Sequence, residues 1–258
     1  MHRQARAIQP PTRQEDEYMP ALDAPIEERL IIALDVPSTE EALAIVDEIG
    51  DAAGFYKIGM QLQYAGGLEL AAQLIAAGKK VFLDAKLFDI DATIEKAVAS
   101  VVKMGVSFLT VHGNEPTVRA AVRGRGDSDL KILSVTVLTS LDHHDIAAMG
   151  FDCDVRELTL HRANKAAEAG ADGVIASGLE VSEIKQLQGQ DLLIVTPGIR
   201  SAGVSSDDQK RVVTPEMAIM AGADYLVVGR QVVGAADRKA AAEAVQAEIR
   251  AAFMQRGD

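Results

Sequence analysis

Leu30-Ile31-Ile32-Ala33-Leu34-Asp35-Val36-Pro37-Ser38 is the stretch that decides the fold. Its apolar run reads as a buried strand, and Ser38 with Glu41 has the spacing of a capping box that opens a helix. A strand feeding a helix begins an α/β protein, and two architectures compete from there. A doubly wound open sheet carries a glycine-rich dinucleotide fingerprint directly after its first strand. Residues 35–38 contain no glycine, so a barrel is expected instead.

Outward from this stretch the rhythm repeats. Apolar runs fall at 30–34, 55–58, 80–83, 107–111, 131–137, 173–176, 192–196 and 225–228, with amphipathic stretches rich in Ala, Glu, Leu and Lys between them. Gly78, Gly105, Gly170 and Gly222 stand where a helix should stop before the next strand. Pro116 and Pro215 suit first-turn helix positions. Eight strands alternating with helices over about 230 residues make a single (β/α)8 TIM barrel. The expected division is a disordered N-terminal extension, 1–28, followed by one catalytic barrel domain, 29–258.

The chain has 258 residues, 48% of them hydrophobic, which is ample for one large core. Its net charge of −12 speaks against nucleic-acid binding, which needs a basic face. A few local Arg and Lys residues can still hold an anionic small molecule. A single cysteine, Cys153, forbids an intramolecular disulfide and fits a reducing cytoplasm. No run of about 18 apolar residues is present, so no transmembrane helix is expected. The first 28 residues carry prolines and charges and lack an apolar signal core.

The chemistry concentrates in Asp84-Ala85-Lys86-Leu87-Phe88-Asp89-Ile90-Asp91-Ala92-Thr93, which follows the apolar run Val81-Phe82-Leu83. Asp84 and Lys86, two apart, point the same way from the end of a strand. Asp89 lies just beyond, before a helix expected to begin near Thr93. Charges of alternating sign at the mouth of a buried strand are costly unless they form one network. The other strand ends supply Asp35, Lys57, His112, Thr139 with Ser140, Ser177, Arg200, and Gly229 with Arg230. In a barrel these side chains meet at one mouth. Lys57, between apolar neighbours, needs a carboxylate partner, for which Asp84 and Asp89 are available. Gly229-Arg230 follows the eighth strand, a frequent phosphate position in barrels, where an arginine fork suits a phosphate. The polar stretch 201–210 has the composition of a mobile lid, and its Gln209 is placed to close over the same group.

Six blocks in order resemble the orotidine 5′-phosphate decarboxylase family of the bacterial type: Leu34-Asp35-Val36-Pro37, Tyr56-Lys57-Ile58-Gly59, Asp84-x-Lys86-x-x-Asp89-Ile90-x-x-Thr93, residues 135–140, residues 196–200, and Val228-Gly229-Arg230. The likeness runs from Arg29 to the last helix. It implies cofactor-free, metal-free decarboxylation of orotidine 5′-phosphate to uridine 5′-phosphate, the last step of pyrimidine nucleotide synthesis. It implies Lys86 as proton donor, with Asp84, Asp89 and Lys57 completing a charged catalytic group. Asp35 and Lys57 would bind the ribose, Thr139 and Ser140 the pyrimidine, and Gln209, Gly229 and Arg230 the phosphate, with Arg200 supporting the lid. Asp89 and Thr93 would enter the neighbouring subunit's site, making a cytoplasmic homodimer the functional unit. Asp91 and Gln231 stand where many family members have proline, so these two loops depart from the family pattern.

Blander readings compete at several positions. A related Mg²⁺-dependent sugar-phosphate barrel, hexulose-phosphate synthase or keto-gulonate-phosphate decarboxylase, shares the Asp-x-Lys-x-x-Asp pattern. A non-catalytic phosphate-binding barrel would gain nothing from buried charges it must keep paired. His112 reads as a hydrogen-bonded floor residue. His143-His144 reads as a solvated loop without a third metal ligand. Residues 125–128, Arg-Gly-Asp-Ser, read as a coincidental loop, and Cys153 has no activating partner.

Overall fold

The computed structural model describes residues 24–201 and 212–257. Eight parallel strands close a barrel in chain order. They are β1 (Leu30–Ala33), β2 (Phe55–Ile58), β3 (Lys80–Leu87), β4 (Phe108–His112), β5 (Lys131–Val135), β6 (Gly173–Ile175), β7 (Leu193–Thr196) and β8 (Tyr225–Val228). The helices between and after them are α1 (Thr39–Ile49), α2 (Met60–Leu62), α3 (Leu68–Ala76), α4 (Asp91–Val102), α5 (Glu115–Arg125), α6 (His143–Ala148), α7 (Val155–Glu168), α8 (Val181–Gln188), α9 (Pro215–Met220), α10 (Arg230–Val233) and α11 (Arg238–Arg256). The (β/α)8 barrel expected from the apolar runs is the fold. Among the described residues no helix is long and apolar enough to cross a membrane.

Each apolar run coincides with its strand to within two residues, except at β3. That strand continues to Leu87, so Asp84 and Lys86 lie on it rather than beyond it. The β3–β4 ladder pairs Leu83 with Leu109 and then Leu87 with Val111. Asp84, Ala85 and Lys86 therefore stand opposite the single residue Thr110. Such a bulge re-aims side chains, and bulges favour sites next to chemistry. Lys86 carries φ 49°, the one positive φ outside glycine among the described residues.

Period two sorts each strand between two cores. Leu30 and Ile32 on β1 join Tyr56, Val81, Leu109 and Ile194 in the layer facing the helices. Ile31, Phe55, Phe82, Phe108, Leu133, Val195 and Tyr225 fill the interior instead. Ring centroids lie 4.9 Å apart for Phe55–Phe108 and 5.0 Å apart for Phe108–Tyr225, the latter edge-on. These aromatic rings plug the barrel and floor its upper mouth. The next residue facing inward on β2, β3 and β4 is Lys57, Asp84 and Thr110, so one polar layer rests directly on the plug.

Local signals hold with some corrections. Ser38 Oγ accepts from the Glu41 amide at 3.2 Å, capping α1. Complete capping boxes occur instead at Asp142 and Asp145 of α6 and at Asp154 and Glu157 of α7. The first box turns His143-His144 from the expected loop into a first helical turn, because Asp142 satisfies the free amides there. Gly222 adopts φ 108° after α9, a conformation that strains any other residue. α4 starts at Asp91, two residues before Thr93, where an acidic residue suits the positive end of a helix. Of the expected N-terminal extension, residues 1–23 lie outside the described residues. Ile26–Glu28 form a 3-10 turn tied to α11, where Gln246 Nε2 donates to the Glu27 carbonyl at 2.7 Å, so the ordered body starts earlier than expected. Residues 202–211, most of the expected lid, also lie outside the described residues.

Phe108 touches three other rings of the plug. Phe108→Ala is expected to cost about 3–5 kcal/mol, as large aromatic truncations in cores do. Chemical denaturation would measure it, and a loss below about 1 kcal/mol would mean the plug collapses to refill the space.

Candidate active site

A cavity of about 560 Å³ opens at the C-terminal ends of the strands. Its wall divides by chemistry. β1 to β3 contribute Asp35, Lys57, Asp84 and Lys86; β5 and β6 with their loops contribute Val135, Val137, Thr139, Ser140 and Ile175; the β7 and β8 ends contribute Pro197, Gly198, Arg200, Gly229 and Arg230. A ligand held here meets alternating charge on one side, apolar surface with two hydroxyls on another, and two arginines at the far edge.

The charged side is one connected chain. Lys86 Nζ donates to Asp84 Oδ1 at 2.8 Å, Lys57 Nζ stands 3.5 Å from Asp84 Oδ2, and Lys57 Nζ donates to Asp35 Oδ1 at 2.9 Å. The side chains of Lys57 and Asp84 are only 10% and 14% exposed, so each charge needs its partners. Burial by itself would raise the Asp84 pKa. The Lys57 and Lys86 charges, with hydrogen bonds from Lys86 and Thr110, outweigh it and hold the carboxyl below its ordinary 3.8. The carboxylate of Lys57 is thus Asp84 together with Asp35; Asp89, the other candidate, takes no part. The reason is the strand order, in which β1 and β3 pair with β2 on either side.

Gly59 explains why Asp35 and Lys57 can meet. A Cβ at Gly59 would stand 2.5 Å from Asp35 Oδ1 and 3.0 Å from Lys57 Nζ. Its φ of −84° and ψ of 177° suit any residue, so the ion pair and not the backbone demands glycine. Gln63 adds a tie, donating to the Ile58 carbonyl at 3.0 Å and the Asp84 carbonyl at 3.1 Å.

Among the expected site residues, Asp35, Lys57, Asp84, Lys86, Thr139, Ser140, Arg200, Gly229 and Arg230 line one cavity. Gln209 lies outside the described residues. Asp89 and Thr93 are exposed and do not line this chain's cavity; Asp89 Oδ1 accepts from the Ile90 amide at 2.6 Å. Beside them Phe88 is 66% and Ile90 72% exposed. His112 is not in the cavity floor. Its ring lies 5.1 Å from that of Phe88 and its Nδ1 meets Asn114 Oδ1 at 3.3 Å, while burial and the Arg162 charge lower its pKa. Ser177 turns into its own loop, accepting from the Leu179 amide at 3.3 Å. Thr110, absent from the strand-end reading, bonds both Asp84 and the Lys86 amide. Its signal was the inward alternation Phe108, Thr110 along β4.

The two unusual loop residues have partners. Asp91 opens α4 and lies 3.9 Å from Arg123. Gln231 Oε1 accepts from the Ser201 amide at 2.9 Å, tying the β8 loop to the β7 loop, and Ser201 Oγ donates to Glu248 Oε1 at 2.6 Å. Arg125 of the Arg-Gly-Asp-Ser stretch ends α5 and pairs with Asp172. Among the described residues no three His, Cys, Asp or Glu side chains converge as a metal site.

Residues 28–245 match the model of the orotidine 5′-phosphate decarboxylase / HUMPS family. An orotidine 5′-phosphate decarboxylase of Rhodopseudomonas palustris is 53% identical over 234 residues, covering 91% of this chain and 99% of the relative. One of Methylobacterium radiotolerans is 55% identical over 222 residues, covering 86% of this chain and 96% of the relative. A crystal structure of orotidine 5′-phosphate decarboxylase from Lactobacillus acidophilus superposes with a TM-score of 0.77 at 36% identity, covering 86% of this chain and 99% of that one.

Two outcomes follow from the geometry. Gly59→Ala is expected to separate Asp35 from Lys57; a crystal structure of the variant with the 2.9 Å pair intact would refute the steric account. Because the folded Asp84 pKa lies below 3.8, the unfolded chain binds that proton first, so this stabilisation is present above that value and lost as pH falls through the folded one. Asp84→Asn should therefore flatten the acid side of a stability-against-pH curve, below about pH 3.8.

Proposed function

The chain belongs to the orotidine 5′-phosphate decarboxylase / HUMPS family, and from that premise we propose that this barrel mouth is where orotidine 5′-phosphate loses carbon dioxide. The enzyme is a carboxy-lyase of pyrimidine nucleotide synthesis whose product is uridine 5′-phosphate. The observation that carries the residue assignment is the Lys86–Asp84–Lys57–Asp35 chain in the same cavity as Arg230. A dianionic phosphate needs a cation at one end, and a carbanion-like centre needs a proton donor at the other.

The reaction breaks one carbon–carbon bond. Carbon dioxide departs, the electron pair stays on the pyrimidine carbon, and a proton from Lys86 Nζ takes its place; Lys86 then regains a proton from water. Asp84 holds the ammonium group toward that carbon and lies beside the departing carboxylate. Fixed charges of this kind cost no reorganisation when the carbanion forms. Enzymes lower barriers by about 8–23 kcal/mol, more than one contact supplies. Binding energy from the remote phosphate must therefore contribute. In this reading Asp35 and Lys57 hold the ribose hydroxyls, Thr139 and Ser140 the pyrimidine, and Gly229, Arg230 and Gln209 the phosphate, with Arg200 behind it.

The active unit in this reading is a cytoplasmic homodimer, with Asp89 and Thr93 reaching into the partner's cavity. The exposure of both, next to exposed Phe88 and Ile90, supports it, because apolar patches of this kind mark interaction surfaces. No nucleic acid, membrane, metal or organic cofactor enters the scheme.

Loss of the orotate chromophore in purified enzyme tests the reading. Lys86→Ala should abolish turnover while uridine 5′-phosphate still binds; turnover near the wild-type rate would remove Lys86 as the acid. Arg230→Ala should raise KM with a smaller effect on kcat, and an unchanged KM would discredit the phosphate assignment. Chelator treatment should leave activity intact, where a Mg²⁺-dependent sugar-phosphate enzyme would lose it. For the shared site, mixing inactive Lys86→Ala and Asp89→Ala chains should restore activity, because a hybrid dimer rebuilds one complete site. Two variants that stay silent together would place Asp89 outside the partner's site.

A further inference from the structure

We infer that Thr110 is a positioning residue that sets the orientation of the Asp84 carboxylate and the bulged backbone of Lys86 together. The inference rests on the proposed decarboxylation at this site.

The Thr110 side chain is fully buried on β4, one inward step above Phe108. Its hydroxyl makes two bonds at once. The Lys86 amide donates to Thr110 Oγ1 at 3.0 Å, and Thr110 Oγ1 lies 2.9 Å from Asp84 Oδ1. A hydroxyl has one proton. With its oxygen accepting from the amide and the carboxylate able only to accept, that proton goes to Asp84. Asp84 Oδ1 then receives both the Thr110 hydroxyl and the Lys86 ammonium at 2.8 Å, while Oδ2 faces Lys57 at 3.5 Å. Turning the carboxylate plane out of this setting would lose the Thr110 bond, so the carboxylate has one preferred orientation.

The second bond serves the backbone. At the bulge, β3 and β4 lose register between Leu83 and Leu87, and Thr110 is the one β4 residue facing the three β3 residues between them. Lys86 sits there at φ 49°, a left-handed conformation that strains a residue with a Cβ. A partly buried amide held off the regular ladder needs an acceptor, and the Thr110 hydroxyl supplies it. The same atom therefore anchors both ends of the Asp84–Lys86 pair, its carboxylate and its main chain. Thr110 does not line the cavity, so it acts through Asp84 and Lys86 and not by touching substrate.

The test compares Thr110→Val, nearly the same shape without the hydroxyl, Thr110→Ala as a second hydroxyl-free variant, and Thr110→Ser, which keeps the hydroxyl. Val and Ala should lower kcat about 10- to 100-fold, the scale of a misplaced reacting group. KM for orotidine 5′-phosphate and the affinity for uridine 5′-phosphate should stay within about twofold, because the phosphate and ribose contacts are untouched. Ser should restore kcat. Removing the hydroxyl also takes a donor from Asp84, so its pKa rises and the acid limb of kcat should move to higher pH. The groups facing Asp84 are Lys57 from β2 and Lys86 from β3, with Asp35 of β1 behind Lys57, and none of them is changed.

Unchanged kcat in a folded Val or Ala variant overturns the inference, and so does an equal loss in the Ser variant. If either hydroxyl-free variant fails to fold, the other carries the comparison, judged by its melting curve against wild type. If both fail, wild-type-like kcat and pH profile in the Ser variant support the inference. Wild-type enzyme that does not decarboxylate orotidine 5′-phosphate would instead sink the proposed function, a result separate from any Thr110 outcome.

Discussion

The site depends on one carboxylate caught between two ammonium groups on the roof of an apolar plug. Asp84 is deeply enclosed, yet it stays ionised because Lys57 and Lys86 face its two oxygens. A buried carboxylate without partners would have its pKa pushed up by burial. Each charge in the chain is therefore the condition for the next, from Asp35 through Lys57 and Asp84 to Lys86. A polar network that is fully paired is rigid, and rigidity is what an enzyme without an electron sink needs.

The barrel makes this network possible at tolerable cost. The rings of Phe55, Phe82, Phe108 and Tyr225 exclude water from below, while the strand ends hold the charges above. A contrasting buried pair, Lys185 with Asp224, shows what the same chemistry does elsewhere. There Lys185 Nζ also bonds the Leu192 carbonyl at 3.0 Å, and Asp224 accepts from the Ile194 amide at 2.7 Å. Burial raises the Asp224 pKa despite Lys185, whereas at the mouth two cations lower that of Asp84. The first pair is committed to backbone and holds the barrel together. The second keeps Lys86 open to the cavity.

Most strand positions were legible because a parallel barrel buries its strands on both faces, leaving uninterrupted apolar runs such as 225–228. Helix ends were legible where one residue type has a local reason, as at Gly222 and Pro215. His143-His144 open a helix and not a loop because Asp142 and Asp145 cap each other's backbone amides, a geometry that the polar composition of the stretch hides. The site was legible at its charged strand ends, since such residues after apolar runs need an explanation. Thr110 escaped because a threonine inside a strand is ordinary; only its distance to two other strand atoms makes it unusual.

By itself the sequence determined the eight-strand rhythm, the barrel, and the family to which its charged blocks belong, because period and residue type are local properties of a chain. The tertiary structure alone decided which charges pair. Pairing β1 and β3 with β2 set Asp35 and Asp84 on either side of Lys57, while Asp89 stayed on the surface. It also placed three residues of β3 opposite one of β4, which turned Lys86 into a left-handed conformation and gave Thr110 its two partners. Distances between strands far apart in sequence are products of packing, and no local pattern carries them.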